Sequence, residues 1–261
     1  MRIWPTPRFQ VRLAPGLHVS NARHLLWHSY LVRGLGSSQC STPNESGGDV
    51  VIVGAGGFGR ETIEAVRAEA SSMSHSRRLI GVVDSDPGRF NLARLASLGV
   101  PYLGTDLEWL GSNPSAEFVI GIGDPRIKAR VHRRFIAAGL HPATVVHPSA
   151  TVGSNCVLAP GTIICAGVQV SSFVTLGLHS HLNPNATVGH DAVIGDYVSV
   201  NPGAIISGRV TCHSEVLVGA GATVLQNLTI GSGATIGAMA CVTRDVPSKA
   251  VAVGVPARWR G

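Results

Sequence analysis

The run Val188-Gly189-His190-Asp191-Ala192-Val193-Ile194-Gly195-Asp196 places a histidine directly before an aspartate. An imidazole with an ordinary pKa of about 6.5 is mostly neutral at pH 7 and can take a proton from an attacking amine or hydroxyl. A neighbouring carboxylate can hold its tautomer and support its protonated form. The same dipeptide also fits a solvated surface turn, and spacing alone leaves both readings open. His179, His181 and His213 lie nearby in the chain.

A second candidate site begins where Val50-Val51-Ile52-Val53 runs into Gly54-Ala55-Gly56-Gly57-Phe58-Gly59. The apolar run reads as a buried strand, and the spacing of apolar residues predicts a helix over 60–70. Strand, glycine turn and helix follow in the order a phosphate site needs. Glycines let the backbone turn tightly and approach a ligand, and a helix N-terminus offers free N–H groups. Leu79 to Val83 reads as the next strand, ending at Asp84, whose carboxylate could accept bonds from a ribose or base. Such glycines also occur where a helix simply packs against a sheet.

Further elements complete an α/β unit over 49–140: a short strand at 101–104, a buried strand at 118–123 and a basic helix at 125–138. Before it, residues 1–48 hold five Arg and one Glu and end in a Ser/Gly-rich linker composition, which reads as a disordered extension or a transit-type leader. After it, positions stepping by six from Val146 to Val242 are aliphatic in sixteen of seventeen cases, Cys212 being the exception. The positions four further on, from Ala150 to Val246, carry no charge.

A parallel β-helix explains that period, because each coil contributes large and small residues to a narrow core that only stacking can bury. The repeat predicts this architecture over 141–247, with a tail at 248–261. Gly or Asn at 153, 177, 183, 189, 195, 201, 219, 231 and 237 is expected to supply unusual turn conformations.

Composition narrows the rest. The net charge of +6 is mainly terminal, since 141–247 holds two Arg against four acids. There is no basic stripe with interleaved aromatics, so nucleic-acid binding has no support. No apolar stretch is long enough for an integral membrane segment. Five cysteines without CxxC or zinc-type spacing fit a reducing cytoplasm and small-hydrophobe roles.

Taken together, VVIVGAGGFGRE, GVVDSDP, VIGIGDPRIKAR, HPSATVG, NPNATVGHDAVIGD and AVAVGVPAR resemble the bacterial hexapeptide-repeat sugar acetyltransferases. These are typified by sialic acid O-acetyltransferases and UDP-4-amino-sugar N-acetyltransferases. The resemblance covers roughly 49–257. It implies a Rossmann-like nucleotide-sugar domain before a left-handed parallel β-helix, and acetyl-CoA as cosubstrate bound between the β-helices of a homotrimer. Handedness comes from the resemblance alone.

By the same resemblance, His190 is the general base and Asp191 its carboxylate partner. Gly208 presents a backbone N–H to the thioester oxygen, and Ser199 stands where many relatives carry a second histidine. Gly219, Ala220, Gly237 and Ala238 let pantetheine lie between coils, although Met239 replaces a glycine common in relatives. Lys249, Arg258 and Arg260 could meet coenzyme A phosphates. Gly54, Gly56, Gly57, Gly59, Asp84 and Asp86 face the nucleotide sugar, Arg126 and Arg130 fall in the family's IGD region, and Asn183 lines the acceptor site.

The expected activity is N-acetylation of a nucleotide-linked amino sugar, with O-acetylation of sialic acid or a related sugar as the alternative. A noncatalytic binding protein would keep the same fold. His179 and His181 invite a γ-class carbonic anhydrase reading, but the HxxxxH pair that class carries is absent, so no metal is expected.

Overall fold

The computed structural model describes residues 48–72, 77–112 and 114–259. The extension at 1–47, including the apolar fragment 25–27, and Arg260 lie outside the described residues.

Strands β1 (Asp49–Val53), β2 (Arg78–Val83) and β3 (Glu117–Ile120) form a parallel sheet in the order β2-β1-β3. In central β1 each residue from Val50 to Val53 is buried, which is why it reads as an unbroken apolar run. The crossover from β1 is α1 (Gly57–Ser72), longer at both ends than its apolar spacing suggests. It buries Thr62, Ile63, Ala65 and Val66 against the sheet. The next helices are α2 (Gly88–Ser97) and the short α3 (Asp106–Gly111). The strand expected at 101–104 is reduced to one bridge, Val82 to Tyr102. Helix α4 (Pro125–Ala137) starts cleanly because Asp124 caps it, its Oδ1 accepting from the N–H groups of Arg126 at 2.8 Å and Ile127 at 3.1 Å, with Pro125 in the first turn.

From Val145 onward the chain is a parallel β-helix of two-residue strands in three sheets. Each strand pairs in register with the one a full coil further on, as His181 does with Ser199. The second residue of each strand points inward, so the six-residue series forms the core from Ile164 to Val242. The intervening small series fills the corners, from Thr162 and Val168 to Ala240 and Val246. Both series become less enclosed in the first coils, at Val152, Cys156 and Leu158.

The turn glycines act differently from expectation. Gly153, Gly177, Gly189, Gly195, Gly219, Gly231 and Gly237 do not have positive φ, nor do Asn183 and Asn201. A Cβ at Gly153 would lie 2.7 Å from the Ser171 backbone, and one at Gly195 would lie 2.8 Å from that of His213. These glycines therefore serve close approach between coils. The left-handed conformation falls two residues later, at every sixth residue from Asn155 to Met239, and includes Phe173, Asp191, Tyr197 and Arg209. For a non-glycine residue this conformation costs roughly 1–2 kcal/mol, so stacking must impose it.

The α/β layer packs on the first β-helix sheet. Arg77 ties the two together: its Nε donates to Glu117 at 2.8 Å and its Nη1 to the Thr144 carbonyl at 3.0 Å. Glu69 accepts from the Val146 N–H at 3.0 Å, and burial raises its carboxyl despite that bond and the nearby Arg77.

Candidate active site

Ser172, His190, Gly208 and Gln226 stack at one corner of the β-helix. Backbone bonds tie the coils there: Asp191 N–H to Ser172 O at 3.1 Å, Arg209 N–H to His190 O at 2.8 Å, and Asn227 N–H to Gly208 O at 3.1 Å. The His190 Nδ1 lies 2.7 Å from Asp191 Oδ2. An ionised carboxylate only accepts, so Nδ1 carries the proton and Nε2 keeps its lone pair. The side chains are 56% and 51% exposed, which leaves them open to an incoming acceptor.

The imidazole lies over Gly208: a Cβ there would sit 2.6 Å from His190 Nε2. Glycine thus makes room for the ring. The Gly208 N–H has no acceptor among the described residues. Prolines occupy the equivalent turn position at Pro160, Pro184 and Pro202, consistent with an amide the coil does not use. A base and an unengaged backbone donor at one corner are what acyl transfer requires.

The glycine turn divides into two pairs. A Cβ at Gly54 would meet Ile122 at 2.7 Å and Gly121 O at 2.9 Å, and Gly54 has φ +111°. A Cβ at Gly59 would collide with the Gly54 carbonyl, so these two glycines seat α1 on the sheet. Gly56 and Gly57 face open space at the N-terminus of α1 and are the pair available to a ligand. The Asp84 Oδ2 accepts from the Ala55 N–H at 2.7 Å and its Oδ1 from the Asp86 N–H at 2.9 Å. One carboxylate therefore braces the turn, while Asp86 is exposed.

Where the open end of the sheet meets the β-helix, the side chains are enclosed. Phe58 packs on His181 in a tilted arrangement, with centroids 4.7 Å apart and ring planes 35° from parallel. Both ring nitrogens of His181 and the Oδ1 of Asn183 are buried without a hydrogen-bond partner among the described residues. Asn183 Nδ2 donates to Asn201 Oδ1 at 3.0 Å. Ser199, which stands where many relatives carry a second histidine, has its side chain fully buried beneath α4. Its hydroxyl donates to Gly123 O at 2.7 Å and accepts from Lys128 Nζ at 2.8 Å.

Lys128 was not singled out from the sequence, which drew attention to Arg126 and Arg130, both exposed. Its Nζ also donates to the carbonyls of His179 at 3.1 Å and Val198 at 3.0 Å. Burial pushes its pKa well down, against the attraction of Asp124. The available signal was helical spacing, since Lys128 shares a face with Val131 and Phe135. Nearby, His132 Nδ1 and His179 Nε2 are 2.8 Å apart. Burial lowers His179 to about 3, with His132 and Lys128 adding repulsion.

Gly219, Ala220, Gly237 and Ala238 stand at a different corner from His190, following strands Leu217–Val218 and Thr235–Ile236 of the first sheet. A Cβ at Gly237 would meet Val253 at 2.8 Å. Met239 beside them is 72% exposed, so it adds apolar surface to that corner. One chain does not bring this group and His190 together. Lys249 and Arg258 lie in the closing segment, where the Arg258 Nη1 donates to the Ala257 carbonyl at 2.8 Å. Cys165 and Cys212 are buried, and burial raises both thiols to about 12, a packing role. Among the described residues no group of three or more His, Cys, Asp or Glu is arranged to hold a metal. No described helix is long and apolar enough to cross a membrane.

Residues 49–135 match the PglD N-terminal domain family. The chain is 32% identical over 132 residues to GDP-perosamine N-acetyltransferase of Escherichia coli O157:H7, covering 51% of this chain and 58% of that protein. It is 32% identical over 118 residues to UDP-N-acetylbacillosamine N-acetyltransferase of Bacillus subtilis strain 168, covering 45% and 51%. The matches thus span little more than half the length of these curated relatives. Similarity to a solved structure is more extensive: a His-to-Asn variant of perosamine N-acetyltransferase from Caulobacter crescentus, in complex with CoA and GDP-perosamine. It is 32% identical, with a TM-score of 0.73 over 82% of this chain and 97% of that one. The α/β unit, the hexapeptide coils and this likeness together establish that the chain belongs to the hexapeptide-repeat amino-sugar acetyltransferase family.

Proposed function

We propose that this protein is an acetyl-CoA-dependent N-acetyltransferase acting on the amino group of a nucleotide-linked amino sugar. The observation that carries the reading is the His190 corner: Nδ1 held by Asp191 at 2.7 Å and Nε2 over Gly208. In this reading the acceptor amine attacks the thioester carbon, a C–N bond forms and Nε2 takes the amine proton. The Gly208 N–H donates to the tetrahedral oxyanion. The C–S bond then breaks and the departing thiolate takes from His190 the proton that the amine gave up.

Gly56 and Gly57 at the start of α1 offer N–H groups to the nucleotide's phosphates, and Asp86 and Asn183 are assigned to the acceptor side. Gly219, Ala220, Gly237 and Ala238 are assigned to pantetheine. Because they lie at a different corner from His190, the complete site is assigned to the interface of a homotrimer, with a neighbouring chain supplying the second wall. A cytoplasmic location is assigned because acetyl-CoA and nucleotide sugars are cytoplasmic metabolites.

Full-length protein incubated with acetyl-CoA and a panel of UDP-, GDP- and dTDP-linked 4-amino sugars should add one acetyl group to at least one of them by mass spectrometry. Acetylation of only hydroxyl acceptors would shift the reading to O-acetylation. No transfer to any amine or hydroxyl would reject it. Light scattering should return three times the chain mass, and a stable monomer would reject the shared site.

A further inference from the structure

We propose that Asn227 is a positioning residue for acyl transfer: it holds the Arg209 guanidinium one coil above Asp191 and so keeps that cation from capturing the carboxylate that orients His190. The proposal rests on the roles given above to His190 and Asp191.

Asp191, Arg209 and Asn227 occupy the same corner position in three successive coils, with φ of 58°, 57° and 61°. Neighbouring strands are separated by about 4.8 Å, and an arginine side chain is longer than that, so Arg209 can reach the coil on either side. Toward Asp191 it would find a carboxylate able to accept a charge-assisted, two-pronged bond, intrinsically stronger than a bond to a neutral amide. It is turned the other way. The Arg209 Nε donates to Asn227 Oδ1 at 2.7 Å, and Asp191 Oδ2 is left to His190 Nδ1 at 2.7 Å.

Arg209 has no salt-bridge partner among the described residues. On the coil before Asp191, the same corner carries the uncharged Ser172 and Phe173, so Arg209 is the charged neighbour that competes for this carboxylate. The other basic residue of 141–247, Arg244, stacks on Trp259 with its guanidinium 4.8 Å from the ring centroid. If Arg209 swung onto Asp191, the imidazole would lose its acceptor at Nδ1, its fixed tautomer and the charge that supports its protonated form.

The test compares Asn227→Ala, Asn227→Asp, Arg209→Ala, the Arg209→Ala/Asn227→Ala double variant and Asp191→Asn. Two readouts are used: steady-state acetylation of the panel sugar that the parent protein turns over, and 15N spectra of the His190 ring, which need no acceptor. Asn227→Ala should lower kcat by about tenfold with the KM for acetyl-CoA unchanged, and should lose the bonded Nδ1–H signature. Asn227→Asp, which offers Arg209 a carboxylate on the far side, should keep both. Removing Arg209 alone should change little, and the double variant should regain most of the lost kcat and the Nδ1–H signature.

Rescue by deleting the arginine would not occur if Asn227 merely stabilised its turn. The proposal is overturned if Asn227→Ala leaves kcat and the ring spectrum unchanged, or if the double variant is no better than Asn227→Ala. An impaired Asp191→Asn beside an unaffected Asn227→Ala overturns this proposal alone. An unaffected Asp191→Asn overturns the dyad and the proposal with it.

Discussion

His179 and His181 sit only a few positions before His190, on the same β-helix, yet the two regions are physical opposites. At the junction with the α/β layer, both rings are fully buried. They are packed against Phe58, Phe118, His132 and Tyr197. At the open corner, the His190 ring is more than half exposed, with one nitrogen on a carboxylate and the other free. Burial sets the ionisation of the first group and removes it from any acceptor. The second stays open to solvent. Histidine count is therefore a poor guide to chemistry here, and enclosure is a good one.

The contrast is broken most directly at His190. His190→Ala should reduce kcat by about 10²–10⁴-fold, the usual contribution of a general base, with little change in thermal midpoint because the side chain is largely solvated. His181→Leu should do the reverse, leaving kcat near its parent value. It removes two unpartnered buried nitrogens, so stability should hold or rise. If the His181 variant lost activity and the His190 variant did not, the assignment of open and closed regions would be inverted.

Next in size is Lys128→Met. The methionine fills much of the same volume but leaves the His179 carbonyl without its donor, while the Val198 carbonyl keeps the His181 N–H at 2.8 Å and the Ser199 hydroxyl keeps Gly123 O at 2.7 Å. Stranding one buried acceptor costs about 1–3 kcal/mol, so a drop of that order in unfolding free energy is expected, read by denaturant melts. An unchanged midpoint would mean that Lys128 is not the clamp its contacts describe.

A smaller effect should appear with acid. His179 is held near 3 against an ordinary 6.5, burial being the main cause, and His181 and His132 are lowered mainly by burial as well. The folded state thus refuses protons that the unfolded chain accepts. Stability from these histidines is fully present above pH 6.5 and is lost as pH falls from there toward 3. The thermal midpoint should decline between pH 7 and pH 4, and less steeply in His181→Leu. A parallel decline in parent and variant would remove His181 from the acid-sensitive set.

Much of this architecture is legible in the sequence because a β-helix repeats one local solution. Sixteen aliphatic residues at a six-residue spacing leave few alternatives. What the sequence conceals is set between coils or between layers. Ser199 looks like a surface strand residue until α4 covers it, and Lys128 looks like one more cation on a basic helix. The left-handed residues are hidden for a related reason: Phe173, Tyr197, Arg209 and Glu215 are poor choices for that conformation in isolation, and stacking alone holds them there. The turn glycines announce a backbone constraint, but clearance from the next coil is a tertiary property that composition cannot express.

The glycine turn carries the same contrast at the scale of single atoms and yields the smallest effect. Gly57 begins α1 in open space, whereas Gly59 is pressed against Gly54 O. Gly57→Ala removes a flexible residue at a helix start without a collision, so stability should stay level or rise by up to about 1 kcal/mol. If Gly56 and Gly57 are where phosphates approach the backbone, the added methyl should raise KM for the nucleotide sugar a few-fold while kcat and the KM for acetyl-CoA hold. A variant that gains stability with an unchanged acceptor KM would place the phosphates elsewhere, and the open pair of glycines would then have no ligand to explain it.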